Sequence, residues 1–214
     1  LEGLKRSDLH TNIILCLMRD KGNEKENLET VELAKKYLVE DGGVVAIDLA
    51  GAESLFPTKD FAYAFDKAHE YGIPFTIHAG ETSGPESVSA ALDLGARRIG
   101  HGVWTIKDDA VLERVIRNGI ALEMCPTSNR QTKSVPDMSL YPLKKYLDMG
   151  VKVTINTDDL SVCGTSISKE FDYIEKEFGI TDVQIKTMLL NAADAAFTNR
   201  TTKNGLRRLI ESAF

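Results

Sequence analysis

An incomplete (β/α)8 (TIM) barrel is the fold this sequence predicts, and three observations carry that prediction. Short runs rich in Val, Ile and Leu alternate with amphipathic segments at a repeat of roughly 20 to 30 residues, as parallel βαβ units do. No Gly-rich phosphate loop of the GxGxxG or GxxxxGK[ST] kind occurs, which sets the open doubly wound sheet aside. Polar and ionisable residues gather where the apolar runs stop, as they would on the C-terminal rim of a barrel.

Taken in order, the candidate buried strands are residues 12–18, 43–49, 73–78, 98–101, 120–125 and 151–156. Leu28, Val31, Ala34 and Leu38 have helical spacing after the first, and Phe61, Ala62, Phe65 and Ala68 after the second. Thr58 is the expected cap of that second helix and Gly72 its stop. Pro85 suits the first turn of the next helix, with Gly95 after Leu94; Gly119 closes the helix carrying Val111, Leu112, Val115 and Ile116. Pro142 and Gly150 repeat the pattern. Two helices without an intervening strand close the chain, one after the cap Thr181 with Val183, Ile185, Met188, Leu189 and Ala192, and one around residues 206–210. A complete barrel has eight strands and about 250 residues, so these six strands leave the first two βα units missing. The start at Leu1 rather than Met, with residues 1–9 reading as the tail of a helix, points the same way.

With 214 residues, 43% apolar and 27% charged, and no linker or low-complexity stretch, the expectation is one domain over residues 1–214. A net charge of −6 with basic residues only in short pairs argues against a nucleic-acid partner. The longest near-apolar stretch, residues 44–52, is broken by Asp48 and too short for a bilayer, and no leader is evident, so no membrane partner is expected. Cys16, Cys125 and Cys163 show no CxxC spacing, so neither a disulfide framework nor a thiolate zinc knuckle is indicated, and a reducing cytoplasm suits the chain.

The strand-end groups are Asp48 with Gly51, His78 with Glu81, His101, Glu123 with Cys125, and Asn156 with Asp158 and Asp159. His10 and His69 fall before a strand and on a helix, where a surface position is expected. A lone strand-end His is as often a packing residue as a ligand; His78 and His101 on consecutive strands shift that balance toward a site. Glu81 reads either as a helix-start carboxylate or as a general acid in a partly dry rim. Asp158 and Asp159 read either as an Asx turn with a cap or as a metal ligand and a hydrogen-bond acceptor. Together these are the inventory for metal-assisted hydrolysis, in which a metal acidifies water, a base orients it and an acid protonates nitrogen. Zinc takes three or more protein ligands, and His78 with Asp158 supplies two. Cys125 is expected as a buried structural cysteine, Cys163 in a Gly-rich loop without a role, and Trp104, Phe61, Tyr63 and Phe65 as packing residues.

The ordered motifs Ile47-Asp-Leu-Ala-Gly51, His78-Ala-Gly-Glu81, Arg98-Ile-Gly-His-Gly102, Cys125-Pro-Thr-Ser-Asn129 and Thr154-Ile-Asn-Thr-Asp-Asp159 resemble the adenosine deaminase family from Asn12 onward. The resemblance implies a zinc-dependent (β/α)8 hydrolase converting adenosine or deoxyadenosine to the inosine form plus ammonia. By motif position it implies His78 and Asp158 as zinc ligands and Glu81 as the acid that protonates purine N1. His101 is then the residue that orients and activates the water, Asp159 a water and purine contact, and Gly51 the backbone donor to the purine. The chain departs from the family pattern in having no His-x-His pair, in Ala52 where Asp is more usual, and in Leu160 where Pro is usual. Two readings compete with this one: a hydrolase of another aminopurine, such as adenine, and a catalytically silent barrel fragment. The chain alone is expected to be close to inactive and to bind zinc weakly. Its unpaired strand edges imply self-association or a retained N-terminal piece.

Overall fold

A computed structural model describes residues 9–214; apart from Leu9, the helix tail expected at the start lies outside the described residues. The order is β1 (Ile13–Arg19), α1 (Glu24–Tyr37), β2 (Val44–Gly51), a 3₁₀ turn (Thr58–Phe61) leading into α2 (Ala62–Glu70), β3 (Thr76–Ala79), α3 (Pro85–Asp93) and β4 (Arg98–His101). There follow α4 (Asp109–Arg117), β5 (Ala121–Met124), α5 (Pro126–Gln131), α6 (Leu143–Asp148), β6 (Lys152–Ile155), α7 (Leu160–Cys163), α8 (Ile167–Phe178), α9 (Asp182–Ala195) and α10 (Arg200–Ala213). Every strand pair is parallel, β1 with β2 and then β3, β4, β5 and β6 in chain order. A parallel bridge between Ile47 and Phe75, with the Ile47 N–H 3.1 Å from the Pro74 carbonyl, joins the two groups. The result is the run of consecutive parallel strands expected of part of a barrel. No helix among the described residues is long and apolar enough to cross a membrane.

The expected punctuation mostly holds. Pro85 opens α3, and Thr181 and Gln184 form a reciprocal capping box on α9. Glu24 and Glu26 in the first turn of α1, with Lys35 and Lys36 in its last, complement the helix dipole. Three expectations need correction, and α5, α7 and α8 come in addition to the helices expected. The strand expected at 73–78 is regular only over Thr76–Ala79, because Pro74 has no N–H to give a ladder. Thr58 caps nothing: it is buried, its hydroxyl 2.9 Å from Ser87 Oγ and 2.9 Å from the Arg19 guanidinium, so it ties β1 to α3. Residues 126–131 form a helix directly after β5, with Pro126 in its first turn, and Cys163 ends the short α7 rather than lying in a loop. Finally, α8 intervenes between β6 and the closing helix pair. It buries Glu170 and Ile174 and packs Phe171 and Phe178 against the core, a helical spacing that the sequence does carry.

The pleat decides what faces where. Ile77, Ile99, Leu122 and Val153 lie in one register row and are fully buried against the helix layer. Their neighbours Thr76, His78, Arg98, Glu123 and Thr154 take the opposite face, the barrel interior. There Arg98 Nε stands 2.7 Å from Glu123 Oε1, and Thr76 donates to Glu123 Oε2 at 2.7 Å. The outer core continues through Phe65 and Phe75, whose ring centroids are 4.6 Å apart. His10 and His69 are exposed, and Trp104 packs half-buried against the core, as expected.

Candidate active site

Three strand ends supply the site. His78 is the third residue of β3, His101 the last of β4, and Asp158 follows β6 by three residues. His101 (φ +60°) and Asp158 (φ +57°) are two of the three non-glycine residues with positive φ among the described residues, Lys133 being the third. That conformation costs of order 1–3 kcal/mol per residue and persists where the surroundings enforce it, as functional sites do.

His78 is oriented by Asp48. Its Nδ1 lies 2.9 Å from Asp48 Oδ2 and 3.1 Å from Oδ1, which leaves Nε2 as the nitrogen free for a ligand. Burial works against a charge on this ring, but the Asp48 carboxylate, with Glu123 and Asp158 behind it, pushes the imidazole up to about 9. The surroundings therefore favour positive charge at this point, whether a proton or a cation.

His101 behaves oppositely. It is fully buried, and burial together with the charge of His78, whose ring centroid is 5.1 Å away, depresses it to about 4. Asn129 lies with Nδ2 3.1 Å from His101 Nδ1 while its Oδ1 accepts from the Tyr141 hydroxyl at 3.1 Å. With the amide so oriented, the proton of neutral His101 sits on Nε2, 3.5 Å from Glu81 Oε2 and 3.9 Å from Asp158 Oδ2. Burial raises the Glu81 carboxyl above the usual carboxylate range, His78 opposing and Asp158 and Glu53 adding to the rise. Asp158 goes the other way, although partial desolvation of its carboxylate works against the charge. Ser128 Oγ donates to its Oδ2 at 2.7 Å and the Asp159 N–H to its Oδ1 at 2.9 Å, and with the two imidazoles they hold it low.

The loop carrying Glu81 is fixed by Glu53. This buried carboxylate accepts the N–H groups of Gly80 (2.6 Å), Glu81 (3.1 Å), Thr82 (2.8 Å) and Ser83 (3.1 Å), and these bonds hold it ionised against its burial. Asp159 caps α7, its Oδ1 accepting from the N–H groups of Ser161 and Val162. Gly51 ends β2 at φ +109°, with the Arg19 backbone and Cβ 3.2 Å from where a side chain would begin, so its glycine has a steric reason besides any contact to a ligand.

The structure thus brings His78, Glu81, His101 and Asp158 together, with Asp159 next to Asp158 and Gly51 at the end of β2. Among the described residues, the one trio of potential metal donors within 4.8 Å of one another is His101, Cys125 and Asp158, and His78 flanks it. Cys125 is buried as expected, and burial and the surrounding carboxylates push its thiol well up. Four positioning residues had no role in the sequence reading. Asp48 and the Ser128-Asn129 pair lie within quoted motifs, so their strand-end positions were a signal. Glu53 gave none, since its partners are backbone groups 27 to 30 residues away.

A family model described as adenosine deaminase matches residues 2–213. The chain is 47% identical over 204 residues to an adenosine deaminase of Haemophilus ducreyi, covering 95% of this chain and 59% of that protein. It is 40% identical over 211 residues to one of Clostridium acetobutylicum, covering 98% and 62%. Among solved structures, an adenine deaminase from Arthrobacter aurescens superposes with a TM-score of 0.85 at 27% identity, over 94% of this chain and 60% of that one. The chain therefore spans about three-fifths of the length of the relatives it matches.

Proposed function

The chain belongs to the adenosine deaminase family, and from that premise we propose that the protein hydrolyses adenosine or deoxyadenosine to inosine or deoxyinosine and ammonia, with zinc. One observation carries the reading: Glu81, whose carboxyl burial raises above the usual carboxylate range, lies 3.5 Å from a neutral His101 on the same rim as His78 and Asp158. In this reading Glu81 gives its proton to purine N1 as water adds at C6. The buried imidazole of His101 orients that water. Of the two protons the water brings, one goes to the amine, which leaves as ammonia when the C6–N bond breaks, and the other restores Glu81. Asp159 contacts water and purine through the carboxylate oxygen not engaged with α7, and the Gly51 backbone bonds the purine.

The donor set fits zinc in kind. His78 offers Nε2 with Nδ1 held by a carboxylate, and Asp158 offers a carboxylate steadied by Ser128. When bound, zinc supplies a Lewis acid that makes water a usable nucleophile at neutral pH. Because no His-x-His spacing occurs among the four histidines, two donors would hold the metal in this chain, and it is expected to bind zinc weakly and to turn over slowly by itself. Metal content near one zinc per chain after dialysis would contradict that. A reducing, cytoplasmic setting belongs to the same reading, and the free thiols Cys16, Cys125 and Cys163 support it.

The deciding experiment is Glu81→Gln in the full-length enzyme, assayed on adenosine. A glutamine cannot donate the N1 proton, so turnover is expected to fall by roughly 10²–10⁴-fold with the fold retained. Near-normal turnover removes Glu81 from the mechanism. A second reading, action on free adenine, is favoured by the solved adenine deaminase at 27% identity, against the 40–47% identity of adenosine deaminases. Comparing kcat/KM for adenosine and adenine separates the two.

A further inference from the structure

At the opposite end of the strands from the rim site, the starts of β2 to β6 and the linker between α9 and α10 line an open cavity of about 770 Å³. That is within the usual size of small-molecule pockets. Its walls combine two chemistries. Val45, Pro74 and Ala121 give an apolar base, while Arg97, Lys152, Arg200 and Lys203 bring four cations to one opening in a chain whose net charge is −6.

These cations are not neutralised locally. None of the four takes part in an ion pair among the described residues. Of the two acidic residues lining the cavity, Asp194 has both oxygens engaged by Arg207, at 2.8 and 2.7 Å, and Glu40 stands exposed. Lys203 Nζ donates to the Asp194 carbonyl at 2.6 Å and keeps two further protons. Lys152 folds over the start of β5, its Nζ 3.2 Å from where a side chain on Gly119 would begin. Arg200 opens α10, a helix of 14 residues whose positive end adds to the same field. Lys203 registers that field. Its ammonium is held below the usual range first by burial and then by Arg98, Arg97 and Lys152, with Asp194 opposing.

We propose that this cavity binds a small organic phosphate, its phosphates meeting Lys152, Lys203 and Arg97 and its apolar body resting on Val45, Pro74 and Ala121. The site lies apart from the rim residues, so a ligand here would act on the barrel from its other end.

The probes are ADP and inorganic pyrophosphate, titrated calorimetrically into the full-length protein at low salt with purine riboside in excess to fill the rim site. ADP is expected to bind, more tightly than pyrophosphate, and to weaken as salt screens the cations. The double variant Lys152→Glu/Lys203→Glu is expected to weaken ADP at least tenfold with its melting temperature retained. If that variant does not fold, the single changes Arg97→Gln and Arg200→Gln are each expected to weaken ADP several-fold. Four results would overturn the proposal: no ADP binding up to millimolar concentration, displacement of ADP by purine riboside, pyrophosphate binding as tightly as ADP, or affinity unchanged in the variants that fold.

Discussion

Gly100 stands opposite His78 in the β3–β4 ladder, and a Cβ there would sit 3.0 Å from the Cα, Cγ and Nδ1 of His78. The imidazole can lie flat toward Asp48 only because this position has no side chain. Gly100→Ala is therefore expected to cost about 1–3 kcal/mol of stability as an overpacking change. It should also push the ring away from Asp48 and weaken metal affinity well beyond what the stability loss explains. Thermal unfolding with a zinc titration of the same sample tests this, and unchanged zinc affinity would show that the ring has room to spare. The glycine in Arg98-Ile-Gly-His was legible as part of a motif, but its reason was not. That reason is a contact across the ladder, which exists only once the register is known. The same holds for Asn129, whose amide sets the His101 tautomer from 28 residues away. His78 and His101 stood out in the sequence because they end consecutive apolar runs, a pairing that weighs more than either histidine alone.

Among the elements, α10 buries no residue among its fourteen, so packing alone does not explain why it stays docked. Asp41, just before β2, supplies the anchor. Its Oδ1 takes bonds from His10 (2.6 Å) and Asn12 (3.0 Å), and its Oδ2 from Asn199 (3.0 Å) and Thr202 (2.6 Å) at the start of α10. Desolvation opposes the charge, yet these bonds hold the carboxyl well below its usual range. A carboxyl whose folded pKa is depressed adds stability that is complete above its unfolded value of about 3.9 and is lost as pH falls from there toward the folded value. Asp41→Ala is expected to cost about 1–3 kcal/mol at neutral pH. The gap between variant and wild type should shrink below about pH 4, as followed by circular dichroism melts. A constant gap down to pH 2 would mean that the carboxylate charge is not what docks α10. Helices with a wide apolar stripe, such as α4 with Val111, Leu112 and Val115 buried, were readable from spacing. In α10 the spacing of Leu206, Leu209 and Ile210 was readable too, but what docks the helix was not, since its anchor Asp41 lies 158 residues or more away in sequence.

For the molecule as a whole, what matters is how the run of parallel strands ends on each side. Both end strands pair on one side only among the described residues, as the strand count implied, but they are not equivalent. On the β6 side α9 packs over the strand, and Asn191 Nδ2 donates to the Val153 carbonyl at 3.1 Å, so this edge is partly closed. On the β1 side, the Ile13 N–H bonds to the Gly43 carbonyl, and by alternation Ile14, Cys16 and Met18 direct their backbone groups away from β2. Asn27 and Asn23 blunt only the last of these: Asn27 accepts from the Met18 N–H at 2.9 Å, and both amides donate to the Met18 carbonyl, at 3.0 and 2.6 Å. The side chains of Ile14 and Met18 are 36% and 50% exposed and Cys16 lies between them, so an open backbone edge coincides with an apolar face. Such a strand templates pairing with another chain. The 214-residue chain is accordingly expected to self-associate with rising concentration, and Ile14→Lys, which places a charge on that edge, to shift it toward monomer. Light scattering across a concentration series decides the matter: a wild-type chain that stays monomeric would show that the cover at Met18 by Asn23 and Asn27 is enough to protect β1. Equal association by the Ile14→Lys variant would move the contact elsewhere, with the β6 side the next to probe by Asn191→Ala.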